Sequence, residues 1–408
     1  MTSQDAQDLN FDDFPPEVRK FRSTVREFAR DEVLPRALKN DQDAADAFDW
    51  DLVQKGHEIG MTRAIVSKEY GGLGVGVVGV ALALEEIAAA DPGVALTFGA
   101  TMLGQAPVLL SGDTRLQARF LPLFSGDDVV LACNAVTEED AGTDLVLEQS
   151  YPHARNVTSI RRDGDEYVLN GRKRFITNAK VASFASVFGN LDGYPGATGL
   201  TCIMVPLDSA GVTRGAVADK MGYRNCLGTE IHFDNVRVPV ENLVGGEAEG
   251  GPINIAQGNM ARPSVAAIST GIARHALEVA REWAGSRVQG GTELWRHQMS
   301  ARKLADMAAA VEASQLLYRR AAHRVDSELP APAYEPAVAK MFADRTAIEV
   351  ASTAMSLMGA RGYVKSYGME KIVRDAFGSR IYEGTPEALA LTITECLYEA
   401  GDEDDPFE

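Results

Sequence analysis

The chain has 408 residues, 45% hydrophobic and 24% charged, which is too long for one ordinary core and predicts two or three packed units. A formal net charge of −18 argues against nucleic-acid partners and anionic membranes. No apolar run reaches the roughly 18 residues of a spanning segment, and the four cysteines and six histidines show neither disulfide nor metal-ligand spacing.

The start, MTSQDAQDLNFDDF, lacks the basic and apolar pattern of a signal peptide and the Arg-rich character of a transit peptide. The expectation is a cytoplasmic protein with no metal and no membrane insertion. Residues 1–126 read as a helical domain. Pro15-Pro16-Glu17 opens it, with Phe21, Val25, Phe28 and Val33 at helical spacing. The Tyr70-Gly71-Gly72-Leu73-Gly74 break interrupts the pattern, which resumes through Leu82, Leu84 and Ile87.

Residues 127–245 change to strands and turns. Tyr167 and Leu169 alternate with polar neighbours, and Asn170-Gly171 reads as a hairpin turn with Phe175 and Thr177 on the return strand. Cys202–Val205 and Ile231–Phe233 read as further strands. Residues 246–400 are helical again. Pro263 suits a helix first turn, with Val265, Ile268, Ile272, Ala276, Val279 and Trp283 along one face. Further helices are expected from about Leu294 to Val325 and from near Pro336, and 401–408 reads as an acidic tail. Helices, then strands, then helices predicts an α+β layout rather than alternating βαβ units.

Several segments carry a resemblance. They are Tyr70–Gly74, Val136-Thr137-Glu138-Glu139-Asp140-Ala141-Gly142-Thr143-Asp144, Phe175-Ile176-Thr177-Asn178 and Lys220-Met221-Gly222-Tyr223-Arg224. Phe233–Pro239, Ala261-Arg262-Pro263, Leu304–Met307, Arg374-Asp375-Ala376 and Ile381-Tyr382-Glu383-Gly384-Thr385 follow in order. Over roughly residues 15–400 the chain resembles the flavin-dependent acyl-CoA dehydrogenases. The resemblance implies an N-terminal helical domain, a β-barrel-like middle domain and a C-terminal four-helix bundle. It also implies FAD, an acyl-CoA or other acyl thioester as substrate, electron-transfer flavoprotein as acceptor, and a homotetramer or dimer.

The implied chemistry removes an α-proton with a carboxylate while the flavin accepts hydride from the β-carbon. Glu383 falls at the base position, and burial raises such a carboxylate toward ~6–7. Its backbone N–H is the implied oxyanion donor, and Gly384 allows the substrate to approach. The resemblance places Asn134, Val136, Thr137, Gly142, Thr143, Phe175, Ile176 and Thr177 against the flavin ring. Arg287 and Gln298 match positions that hold the pyrophosphate and adenosine across a dimer interface, and Ser356, Gly359, Thr385 and Glu387 match further FAD positions. Asn259 and Arg262 match positions that contact substrate or support the base.

The chain also departs from the pattern. Gly290-Gly291 replaces an aromatic-glycine pair, Ser356 stands in place of a glutamine, and Arg361 is gained. Ala261 removes an alternative base position, leaving Glu383. The stretch Leu145–Arg161 is longer than usual and reads as a solvated loop insertion. A carrier-protein-bound acyl substrate, a flavin oxidase and a partly degenerate subunit of a heteromeric enzyme stay open as alternatives.

Overall fold

Val18, Phe21, Val25 and Phe28 fall on one buried face of helix α1 (Pro16–Phe28), whose proline start needs no N–H partner. The computed structural model to which it belongs describes residues 14–42 and 48–399. The acidic stretch 401–408 lies outside the described residues. The first region continues with α2 (Leu34–Gln42), α3 (Trp50–Glu58), α4 (Gly76–Ala88), α5 (Pro92–Leu110) and α6 (Thr114–Phe120). Helices α4 and α5 are apolar nearly all round, as helices enclosed by protein must be. By length and composition α5 could cross a membrane, but 72% of it is buried in the fold, which marks a core helix.

The middle region is an eight-stranded sheet among the described residues. Its strands are β1 (Ala132–Ala135), β2 (Ser159–Asp163), β3 (Glu166–Thr177), β4 (Phe184–Leu191), β5 (Leu200–Pro206), β6 (Val212–Arg214), β7 (Gly228–Pro239) and β8 (Leu243–Val244). The order is β6-β7-β3-β2-β4-β5-β8, with β1 parallel to β4. Asn170-Gly171 is not the expected hairpin turn. The β2–β3 reversal occurs at Gly164, and β3 runs on through Gly171 to Thr177 with a register shift against β7. Gly171 is required for another reason: at φ 146° a Cβ there would lie 2.6 Å from Thr158 Cα.

The third region comprises α7 (Gly250–Ser286), α8 (Gln298–Ser327), α9 (Tyr334–Met358), α10 (Met369–Ala376) and α11 (Pro386–Glu399). Helices α7, α8 and α9 pack on one another, α11 packs on α9, and α4 packs on α7. Pro263 does not start a helix; it lies inside the 37-residue α7. The missing N–H frees the Asn259 carbonyl from its helical partner. Burial of Val265, Ala266, Ile268 and Ile272 beyond it carries the helix through. Helix α8 starts at Gln298, after a 3₁₀ turn at Leu294–Arg296, and α9 starts at Tyr334.

The stretch Leu145–Arg161 is not a solvated loop. Leu145, Tyr151 and Ala154 pack with Ala141 and Ala197 in a small core, and Gln149 donates to Glu395 on α11 at 2.8 Å. The Arg374-Asp375 motif joins all three regions. Asp375 accepts from the Tyr223 N–H (2.6 Å) and pairs with Lys371 (2.7 Å), and Arg374 binds Asp41 (2.6 Å) and the Met221 carbonyl (2.7 Å).

Candidate active site

A cavity of about 300 Å³ lies where α4, α5 and α7 meet the sheet and the turn before α11. It brings together Asn134, Val136, Thr137, Gly142, Thr143, Phe175, Ile176, Thr177, Arg262, Glu383 and Gly384. Its inner end is apolar, formed by Val80, Leu84, Leu96, Gly99 and Ile268. Among the lining residues only Arg262 and Glu383 carry charge.

Glu383 stands in a left-handed backbone conformation, φ 56°, followed by Gly384 at φ 96°. A non-glycine residue there costs ~1–3 kcal/mol and persists only where its surroundings hold it. Lys340 on α9 does much of the holding. Its ammonium donates to the Ser379 carbonyl (2.9 Å) and the Gly384 carbonyl (3.0 Å), so it clasps the turn on both sides of Glu383. Asp344, one helical turn along, pairs with Lys340 at 2.7 Å and accepts from Ser269 on α7 at 2.8 Å. The neighbouring Tyr382 ring packs edge-on against Tyr223, with centroids 6.0 Å apart.

Burial pushes the Glu383 carboxyl upward, and the positive charges of Arg262 and Lys340 only partly offset it, so its pKa lies above the ordinary value. Among the described residues no side chain hydrogen-bonds to this carboxylate or pairs with it within 4.0 Å, and no carbonyl accepts from the Glu383 N–H. A carboxylate of raised basicity and a free backbone donor therefore sit together at a mostly apolar cavity. Arg262 is 5% exposed and donates to Asn259 Oδ1 at 2.7 Å, while its Nε has no partner among the described residues. Asn259 does not line the cavity; it acts on Arg262.

The wall formed by residues 134–143 rests on a buried ion pair. Lys173 on β3 reaches Glu138 at 2.8 Å and the Val136 carbonyl at 2.7 Å, and Glu138 also accepts from the Val157 and Thr158 N–H groups. Phe175 (φ 60°) stands 64% exposed at the cavity edge, and Gly142 would meet only Thr137 with an added Cβ. Backbone atoms and an open aromatic face suit a flat heteroaromatic ring.

A second cavity, about 510 Å³, lies at the far end of the bundle. It gathers Arg287, Ser356 and Gly359 with Trp283, Lys303 and Arg361. Among the described residues no carboxylate lines it, and the Arg361 guanidinium sits 5.4 Å from the Trp283 ring centre. Its cations fit a pyrophosphate, and Trp283 supplies an aromatic surface that Gly290 lacks. Trp283 precedes Arg287 by one helical turn, a spacing visible in the sequence. The two cavities share no lining residue. Gln298 is exposed at the start of α8 and lines neither. Thr385 accepts from the Ala388 N–H at the start of α11, and Glu387 is exposed in that helix's first turn; neither lines the cavity.

Three family models match in succession: the acyl-CoA dehydrogenase N-terminal domain over residues 15–127, the middle domain over 133–236 and the C-terminal domain over 249–398. A cyclohex-1-ene-1-carbonyl-CoA dehydrogenase of Geobacter metallireducens is 35% identical over 374 residues, spanning 91% of this chain and 96% of that protein. The structure of butyryl-CoA dehydrogenase from Megasphaera elsdenii is similar with a TM-score of 0.88 at 32% identity, covering 94% of this chain and 99% of that one. A glutaryl-CoA dehydrogenase from Mycobacterium smegmatis in complex with FADH2 is similar with a TM-score of 0.83 at 25% identity, covering 95% of this chain and 96% of that one.

Proposed function

The chain belongs to the acyl-CoA dehydrogenase family, a family of flavoprotein oxidoreductases, and on that premise we propose that Glu383 is the base of an FAD-dependent α,β-dehydrogenation of acyl-CoA. The observation that carries the reading is the Glu383 carboxylate itself, unpaired and of raised basicity, facing a cavity with an apolar inner end.

Glu383 takes the α-proton of the thioester. Its backbone N–H meets the thioester oxygen as negative charge develops there, a contact of a kind worth ~2.7–4 kcal/mol. Arg262 steadies the carboxylate without pairing with it, so the base keeps its basicity. Lys340 fixes the turn so that carboxylate and N–H face the same volume. Phe175, Thr177 and the 134–143 wall hold the flavin ring, and Arg287, Lys303, Arg361 and Trp283 hold its pyrophosphate and adenosine. Bound FAD would supply the two-electron acceptor for the hydride leaving the β-carbon.

Arg287 and Gln298 match positions that act across a dimer interface, so in this reading the flavin ring lies in the first cavity of one copy and its pyrophosphate meets the second cavity of another. This supports a homo-oligomer, a dimer or the tetramer the resemblance implies. Electron-transfer flavoprotein is the acceptor in this reading. The four unpaired cysteines, three of them buried, suit a reducing cytoplasmic setting.

Anaerobic mixing of the FAD-loaded protein with straight-chain, branched and alicyclic acyl-CoA thioesters tests the reading. At least one should bleach the oxidised flavin within the enzyme's turnover time. A protein that binds FAD but is reduced by none of them would overturn it.

A further inference from the structure

Among the described residues, the cavity lining holds two buried polar atoms without a partner that the reaction described above does not use: Tyr382 Oη, on a ring packed against Tyr223, and Gln257 Oε1. Gln257 on α7 is 2% exposed and lines the cavity, and its Oε1 has no hydrogen-bond partner among the described residues. Its orientation is set by a chain of bonds that ends at a group of fixed polarity. The Leu145 carbonyl can only accept, so the Asn254 amide must turn its Nδ2 toward it, at 2.6 Å. Asn254 Oδ1 is thereby left to accept from Gln257 Nε2, at 3.1 Å. Gln257 Oε1 is the remaining end of this relay. A buried acceptor left without a donor costs ~1–3 kcal/mol, which an N–H or O–H on a ligand bound in the cavity would recover.

Helix α7 also measures where along the ligand that donor lies. Ile268, at the apolar end, and Arg262, facing Glu383, follow Gln257 on the same helix and line the same cavity. At ~1.5 Å rise per residue, Gln257 sits about 6 Å outward from Ala261 and about 16 Å from Ile268. An acyl tail directed toward Ile268 leaves its sulfur on the Gln257 side of the reacting carbons. In a pantetheine thioester the first hydrogen-bond donor beyond sulfur is the amide N–H two methylenes away.

We propose that Gln257 Oε1, oriented by Asn254 and the Leu145 carbonyl, accepts a hydrogen bond from the first amide N–H of the substrate's pantetheine arm. The proposal rests on the reading of the cavity as a thioester site. It also gives the longer stretch after Leu145 a role, because that stretch begins with the carbonyl that sets the polarity of the relay.

The test uses the FAD-loaded enzyme and the acyl group that reduces it fastest. That group is presented as its N-acetylcysteamine thioester and as the analogue in which a methylene replaces the N–H. The wild-type protein should bind the N–H probe roughly three- to tenfold more tightly, the range for one neutral hydrogen bond, with equal flavin reduction rates at saturation. Gln257→Leu and the straighter Gln257→Met should bind both probes alike. A wild-type protein that does not distinguish the probes, or variants that distinguish them as strongly as wild type, would overturn the proposal. The same acyl group on CoA and on a carrier protein's phosphopantetheine separates the two sources of such an arm. Gln257→Leu should weaken whichever source reduces the flavin, and no weakening of that source overturns the proposal. Failure of every thioester to reduce the flavin would instead overturn the reading of the site as a thioester dehydrogenase.

Discussion

Glu383 and Glu86 are both carboxylates set deep among helices, and their proton affinities move in opposite directions. Burial raises both. At Glu86 on α4 the burial effect is overcome by the hydrogen bond from Arg26 and the charges of Arg274, Arg22 and Arg26, and the pKa falls to about 2. Arg22, Arg26 and Arg274 all reach it within 2.9 Å. At Glu383 the nearest cations, Arg262 and Lys340, are committed elsewhere, to Asn259 and to the turn's carbonyls with Asp344. The difference lies in where the donors point. One carboxylate is closed into structure, and the other is left open to a ligand.

The largest effect should follow from Glu383→Gln. Loss of a positioned base costs ~10²–10⁴ in rate, so flavin reduction by acyl-CoA should slow by at least that range while FAD binding is retained. The pH profile sharpens the point. The base acts only when deprotonated, so reduction by acyl-CoA should rise with pH through a pKa above the ordinary carboxylate value. A profile flat down to pH 4.5 would place the proton elsewhere.

Lys340→Met comes next and acts through Glu383. It leaves Asp344 buried without its cation, and breaking such a pair costs ~3–5 kcal/mol. It also removes a positive charge that lowers the Glu383 pKa and frees the Ser379 and Gly384 carbonyls. Denaturant unfolding should show the loss of stability. The acid limb of the pH profile should move to higher pH, a shift that a merely structural role would not produce.

The sequence made these two carboxylates unequally legible. Glu383 lies in a local motif, and the flavin-wall segments are contiguous, so resemblance could point to them. The helix–sheet–helix zones were equally visible, because periods of 3.6 and 2 differ over a dozen residues. Lys340 was hidden. A lysine four residues before an aspartate reads as an exposed helical pair, and only the fold turns it inward onto the Ser379 and Gly384 carbonyls. Gln257 was hidden for the same reason, since its free acceptor exists only through Asn254 and a carbonyl more than a hundred residues away. Asn170-Gly171 and Pro263 misled because their local preferences were real but were used differently. The glycine admits Thr158, and the proline is carried inside a long buried helix.

Glu86→Gln should have the smallest effect of the three, and it should spare the chemistry. Its ordinary value of 4.5 is lowered to about 2 in the folded protein. The associated stability, about 3 kcal/mol at ~1.4 kcal/mol per pKa unit, is therefore fully present above pH 4.5 and lost as pH falls toward 2. The variant should unfold more easily than wild type at pH 7, and the gap should close steadily across that acid window. Arg22 and Arg26, which are partly exposed, screen the pair, so added salt should narrow the gap at pH 7 as well. Flavin reduction by acyl-CoA should stay near the wild-type rate, because the Glu86 cluster joins α1, α4 and α7 without lining the cavity. A stability gap of the same size at pH 2 and pH 7 would show that the three arginines support Glu86 by packing rather than by charge, and would remove the electrostatic half of its contrast with Glu383.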